Sequence, residues 1–293
     1  MNFPVLRGFG LTRYCEEDGE AWLADHDEIS SERQLGRIIS VHYGGLFVRT
    51  ESGVLLTTPS AKVRRVRRSE GASKPAVGDW VVVRPGANDG AAFLLEILPR
   101  RSSLVRRAAG GDDMPQIVAA NVDLVMICMA LGVNFNLRRM ERYLALARHG
   151  GSSACVVLTK ADGQPDVVEK TREALALSDE TPVCAVSAID GTGLEALAEY
   201  LPPGTTAVMV GSSGVGKSTL LNALAGEQHM LAKAVREKDD KGRHTTTHRE
   251  LFRLPSGALL IDTPGLREVG IVGEEDTSSR RQRRGKASTR AKH

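Results

Sequence analysis

The pattern of apolar and polar positions changes character along this chain. Between Gly36 and about Leu98, short runs at Arg37–His42, Leu46–Thr50, Gly53–Thr57, Trp80–Arg84 and Phe93–Ile97 alternate across turn signals such as Tyr43-Gly44-Gly45 and Ser52-Gly53. Short runs of this texture bounded by Gly, Pro, Asn and Asp predict strands. Five of them in so short a span predict a small all-β barrel like the oligonucleotide-binding (OB) fold, with an SH3-like barrel as the alternative. From Val122 to Leu131 the chain is almost continuously apolar, as a strand buried on both faces must be. A helical stretch over Leu137–His149 follows, with Leu137, Met140, Leu144 and Ala147 on one face. Strands at Ala154–Leu158, Pro182–Val186 and Thr206–Val210 then alternate with helices at Asp166–Leu177 and Leu194–Leu201. That alternation predicts an α/β domain with a parallel sheet. Residues 1–30 show no clear period and read as an opening strand and a loop. The chain thus divides into an N-terminal segment (1–30), a barrel (31–105), an α/β domain (112–272) and a charged, low-complexity tail (273–293) read as disordered.

Charge sharpens this division. The net charge of +3 over 293 residues hides unlike parts. Residues 31–110 carry fourteen Lys or Arg against six Asp or Glu, and the last twenty residues carry seven against three. Basic residues around the barrel (Lys62, Arg64, Arg65, Arg67, Arg68, Lys74, Arg100, Arg101, Arg106 and Arg107) point to a phosphate-contacting surface for RNA. Tyr43, Phe47, Trp80 and Phe93 are either barrel core or base-stacking platforms. The four cysteines at 15, 128, 155 and 184 have no paired metal-ligand spacing and outline no disulfide framework. No apolar run is long enough to cross a bilayer, so the expectation is a soluble protein of a reducing compartment.

The chemistry lies on the ends of the predicted strands. Gly211-Ser212-Ser213-Gly214-Val215-Gly216-Lys217-Ser218 satisfies G-x-x-x-x-G-K-[ST] between a strand and a helix continuing through Thr219. Its backbone N–H groups can converge on phosphate oxygens, with Lys217 at the β/γ-phosphates and Ser218 on Mg²⁺. Asp262, opening Asp262-Thr263-Pro264-Gly265 after an apolar strand, is placed to hold Mg²⁺ through water, and Gly265 to offer its N–H to a γ-phosphate. Thr159-Lys160-Ala161-Asp162 is similar to the guanine-reading N-K-x-D sequence. A carboxylate at Asp162 can accept from guanine N1–H and N2–H₂ but faces an acceptor in adenine, which favours GTP over ATP. Thr159 stands where Asn is usual. Ser187-Ala188, followed by Gly191 and Gly193, matches the S-A-x-x-G-x-G loop whose backbone caps guanine.

Base recognition here precedes the phosphate loop, the reverse of ordinary small GTPases. The same sheet with relocated termini accommodates that order, so the domain reads as a circularly permuted P-loop GTPase. Between the phosphate loop and Asp262 lies Gly242-Arg243-His244-Thr245-Thr246-Thr247-His248. Thr246 is the candidate to complete the Mg²⁺ shell, with Thr245 and Thr247 open. Leu266 occupies the position where many GTPases keep a water-orienting Gln, which leaves His244, with His248 second, to position the attacking water.

The order T-K-x-D, S-A-x-x-G-x-G, G-S-S-G-V-G-K-S, G-R-H-T-T-T, D-T-P-G resembles the ribosome small-subunit-dependent GTPase A family (RsgA, also called YjeQ). The resemblance covers roughly residues 36–270. It implies an OB barrel before a permuted GTPase domain, and GTP hydrolysis that is stimulated by the small ribosomal subunit during its late maturation. It further implies a cytoplasmic protein that binds the subunit and its rRNA, no membrane, a monomeric state, and a hydrolytic role for the histidine matching His244. The family also carries a C-terminal zinc-binding domain. No cysteine follows Cys184, so zinc is not expected in this chain. That departure supports an alternative, a GTP-gated rRNA-binding switch with little turnover. A metabolite kinase is disfavoured by Asp162 and the permuted order.

Overall fold

The residue alternation along one strand, Leu124–Ala130, organises the larger half of the molecule. In a computed structural model describing residues 2–25, 33–42, 44–69, 74–86, 90–107, 115–132, 134–226 and 249–262, all seven residues of this strand are buried. Val125, Ile127 and Met129 point into one apolar cluster, and Leu124, Met126, Cys128 and Ala130 into another. Period-two side chains thus feed two cores, one on each face of the sheet.

In chain order the elements are α1 (Pro4–Arg7), α2 (Arg13–Asp25), β1 (Gln34–His42), β2 (Gly45–Thr50), β3 (Val54–Pro59), α3 (Ala61–Ser69), β4 (Trp80–Arg84), β5 (Ala92–Ile97), β6 (Ser103–Arg107), β7 (Pro115–Ala120), β8 (Leu124–Ala130), α4 (Leu137–His149), β9 (Ser153–Thr159), α5 (Val167–Leu175), β10 (Val183–Val186), α6 (Leu194–Ala198), β11 (Thr206–Val210), α7 (217–226), β12 (Arg249–Arg253) and β13 (Leu259–Asp262). Strands β10, β9, β8, β11 and β13 run parallel, and β12 joins antiparallel beside β13. Helices α4 and α5 contribute Met140, Tyr143, Leu144, Ala147 and Ala174 to the first core. Leu197, on α6, and Leu220, Leu221 and Ala225, on α7, fill the second. Packed between helices on both faces, this is the doubly wound sheet expected from the alternation of elements.

The smaller half is a closed five-stranded barrel. Its order is β1-β2-β3-β5-β4, closed by β4 pairing back onto β1, with β3 and β5 parallel. Full closure in this order is OB-like. Ile38, Leu46, Val48, Val81, Val83 and Leu94 fill its interior.

Three segments differ from the sequence expectation. Residues 2–25, the described part of the N-terminal segment, hold two helices in place of an opening strand. Cys15, Gly19 and Trp22 recur at helical spacing on α2, and Cys15 packs with Leu6, Leu35, Trp80 and Val82. A Cβ at Gly19 would lie 2.9 Å from Leu35 Cδ1, so the helix can sit this close to β1 only without a side chain there. The basic stretch after Ser60 forms α3, with Val63 turned toward the barrel core and Lys62, Arg64 and Arg65 exposed. Residues 103–107 and 115–120 pair as the antiparallel strands β6 and β7.

The two halves share one sheet. Strand β1 pairs with β12 through Ser40↔Glu250 and Val41↔Arg249, which makes barrel and parallel strands a continuous eleven-stranded surface. Arg37 bolts the junction. Only 1% exposed, it donates from Nη1 to Phe9 O (2.5 Å) and Thr206 Oγ1 (3.0 Å), from Nη2 to Asn121 O (3.1 Å) and from Nε to Gly78 O (3.2 Å). Its guanidinium also lies 5.1 Å from the Trp80 ring centroid. Burial lowers its pKa to about 10, which leaves it cationic at neutral pH. Nearby, Asp79 accepts from Arg100 Nε (2.6 Å) and Nη2 (2.7 Å) and from Ala76 N (2.8 Å). Burial raises the Asp79 carboxyl above its ordinary value, and the paired Arg100 opposes that rise. No helix among the described residues is long and apolar enough to cross a membrane.

Candidate nucleotide site

The carboxyl ends of the parallel strands gather the motifs. Ala130 on β8 is level with Thr159 on β9, and Thr159 with Val186 on β10. Val210, which ends β11, is level with Ile127, and Ile261 on β13 with Val208. The residues predicted to read guanine, the predicted capping and phosphate loops and Asp262 therefore emerge along one edge, where ligands bind in open α/β sheets.

The phosphate loop leaves β11 through Gly211 at φ +146°, where a Cβ would sit 2.4 Å from Cys128 O. Only glycine fits that approach. Ser212 and Gly216 are half-buried, Ser213, Gly214, Ser218 and Thr219 exposed, and Val215 buried in the second core. Leu220 and Leu221 anchor α7, which brings its N-terminal N–H groups and Ser218 to the loop. Lys217 Nζ donates to Gly211 O (2.6 Å) and Ser212 O (2.7 Å), so the ammonium lies along the loop's first arm.

Thr159 ties the predicted guanine-reading loop to the predicted phosphate loop. Its hydroxyl, buried at the end of β9, donates to Val215 O inside the phosphate loop. The position where Asn is usual thus keeps a bond to the loop through a shorter side chain. Lys160 adopts a left-handed backbone (φ +60°), unusual for a residue with a Cβ. Its Cε and the Thr159 side chain both flank Gly216, the nearest atoms a Cβ there would meet. Asp162 is exposed, two residues beyond that bend. Ala161 N donates to Val186 O (3.1 Å), tying this loop to the next strand.

The capping loop is built by a buried serine. Ser187 Oγ accepts from Ile189 N (3.3 Å) and Asp190 N (3.4 Å), and Ser187 O accepts from Gly191 N (3.0 Å). Asp190 Oδ1 accepts from Thr192 N at 2.9 Å, and that N–H holds its carboxyl below the ordinary value. Ala188 is half-buried behind this turn.

For Mg²⁺ the described donors are the exposed Ser218 hydroxyl and the half-buried Asp262 carboxylate, in register beside β11. Two hard oxygens suit an ion that draws its other ligands from phosphate and water, so the residues fit Mg²⁺. Among the described residues no three His, Cys, Asp or Glu side chains cluster as a metal site. His244, Thr245, Thr246, Thr247, His248, Gly265, Leu266, Tyr43 and the 273–293 tail lie outside the described residues.

One residue carries no motif yet reaches the loop. Arg139, in the first turn of α4, donates from Nη1 to Ser212 Oγ (3.0 Å). Two adjacent arginines in a first turn without an acid were its only trace in the sequence.

Comparison with known proteins gives the same picture. The family model for the RsgA GTPase matches residues 97–272. The chain is 41% identical over 283 residues to a Small ribosomal subunit biogenesis GTPase RsgA of Xanthomonas axonopodis pv. citri, covering 94% of this chain and 74% of that protein. A protein of the same name from Methanosarcina acetivorans is 44% identical over 239 residues, covering 80% and 63% respectively. Among solved structures, YjeQ from Thermotoga maritima aligns with a TM-score of 0.61 at 28% identity, over 82% of this chain and 77% of that one. YloQ, described as a circularly permuted GTPase, aligns with a TM-score of 0.57 at 26% identity, over 85% and 77%. Barrel, permuted strand order and clustered motifs agree with these matches, and the chain belongs to the RsgA GTPase family.

Proposed function

We propose that this GTPase hydrolyses GTP in the biogenesis of the small ribosomal subunit, as a cytoplasmic, monomeric factor whose turnover the subunit stimulates. The observation that carries the GTP site is the Thr159 hydroxyl on Val215 O, because it fixes the guanine-reading loop against the phosphate loop. The relatives' shared name, Small ribosomal subunit biogenesis GTPase, supports the subunit as partner. Exposed Lys62, Arg64 and Arg65 on α3 support rRNA contact through phosphates. The proposed division keeps an N-terminal segment at 1–30, the barrel at 31–105, the GTPase domain at 112–272 and a tail at 273–293.

In this reading Asp162 accepts from the guanine edge, and the backbone of Ser187 and Ala188 caps the base. Gly211 through Thr219 wrap the phosphates, Gly265 meets the γ-phosphate, and Lys217 stabilises charge on the β/γ-bridge. Ser218, Thr246 and Asp262 would hold Mg²⁺, which when bound neutralises phosphate charge. His244 positions water for in-line attack.

The test is GTP hydrolysis with and without purified small ribosomal subunits, alongside His244→Ala. Subunits should raise the rate, and His244→Ala should lower stimulated turnover by about 10²-fold while leaving GTP binding intact. ATP turnover exceeding GTP turnover would refute the guanine assignment. Tight GTP binding with no stimulation would favour the GTP-gated rRNA-binding switch instead.

A further inference from the structure

Two cations meet at one residue of the phosphate loop. Lys217 Nζ donates to the Ser212 carbonyl at 2.7 Å, and Arg139 Nη1 donates to the Ser212 hydroxyl at 3.0 Å. Arg139 is half-buried, and among the described residues it forms no ion pair. Among the described residues, this partly desolvated guanidinium commits one N–H to a neutral hydroxyl, out of five donors that a guanidinium carries.

Its place on the helix is electrostatically adverse. Arg138 and Arg139 occupy the first turn of α4, where the helix dipole is positive and acids are favoured, and no acid accompanies them. The turn is nonetheless well fixed, since the N-cap Asn136 side chain accepts from Arg139 N at 2.9 Å. A local rule broken by a well-held residue indicates a role outside the helix.

We propose that Arg139 is a positioning residue of the GTPase reaction that acts through Ser212 and favours the triphosphate over the diphosphate. The inference rests on the GTP site argued above. Thr159 grips the loop at Val215, on the arm next to base recognition, whereas Arg139 grips it at Ser212. Ser212 also receives Lys217, the residue assigned to the β/γ-phosphates, so Arg139 stands at the terminal-phosphate end. It fixes the loop's first arm there and adds positive charge where GTP carries more negative charge than GDP.

The experiment compares equilibrium affinities for fluorescent GTP and GDP analogues, and single-turnover hydrolysis, in the full chain and in Arg139→Ala, Arg139→Lys and Ser212→Ala. Arg139→Ala should weaken GTP binding by about tenfold and GDP binding by less than about threefold, as loss of a charge-assisted contact implies. Arg139→Lys should recover part of that GTP preference by restoring charge without the planar fork. Ser212→Ala, which leaves the helix untouched, should narrow the GTP:GDP ratio in the same direction. Equal losses for both nucleotides in Arg139→Ala, or an unchanged ratio in Ser212→Ala, would overturn the proposal. Failure of the unmodified chain to bind GTP would instead overturn the site on which it rests.

Discussion

The junction between the halves and the nucleotide site both place cations against backbone carbonyls, yet they treat them differently. At the junction Arg37 is fully enclosed and spends three nitrogens on four acceptors drawn from the N-terminal segment, the barrel, the turn before β8 and the start of β11. At the site Lys217 and Arg139 rest on loop atoms that remain partly open to solvent. A buried charge with every acceptor committed defines one arrangement and resists change. A half-exposed charge on neutral acceptors can be handed to a ligand. The difference separates alignment from chemistry, although both regions touch the same strand. Thr206, which accepts from Arg37, opens β11, and the phosphate loop leaves the other end.

Arg37→Met gives the largest expected effect on one side of this contrast. It removes the cation that bridges Phe9, Gly78, Asn121 and Thr206, and should cost roughly 4 kcal/mol of stability in urea unfolding. Nucleotide affinity per folded molecule should stay within about threefold, since no phosphate-loop atom is lost. If affinity fell as steeply as stability, alignment and chemistry would not be separable. Lys217→Ala is the converse. Its turnover should drop by about 10²- to 10³-fold, with stability changed by less than about 1 kcal/mol. A K217A protein as unstable as R37M would erase the distinction from the other side.

How legible these regions were in the sequence follows the same divide. Short apolar runs between turn signals sufficed to find β1 to β5, because turn residues bound each strand closely. Such runs gave nothing for β12, whose partner β1 lies some two hundred residues earlier in the chain, beyond any local window. Helix α2 was hidden because its buried face is made of Cys15, Gly19 and Trp22 among acids, without an aliphatic stripe. Helix α3 was hidden because charge dominates it and Val63 alone among its described side chains faces the core. The candidate nucleotide loops stand out in the sequence because phosphate and guanine impose fixed residue types at fixed spacing. Arg139 and Arg37 do not, because a guanidinium can serve from almost any element that passes close enough.

Thr159 provides the finest test, because it sits where the site borrows the junction's method, a buried donor on a backbone carbonyl. Thr159→Val keeps the shape and removes the hydroxyl, leaving Val215 O without that donor. GTP and GDP affinities should fall together by about three- to tenfold, as for one lost buried hydrogen bond. The two nucleotides share guanine and differ only at the phosphate end, so a common loss is the mark of a tie between loops. Thr159→Ser should restore binding, since the donor returns without the methyl group. A loss confined to GTP would instead give Thr159 a role at the terminal phosphate and make Arg139 redundant there. Isothermal titration of both nucleotides on the three proteins separates these outcomes, and guanine preference over adenine should narrow in Thr159→Val as the Asp162 loop loosens.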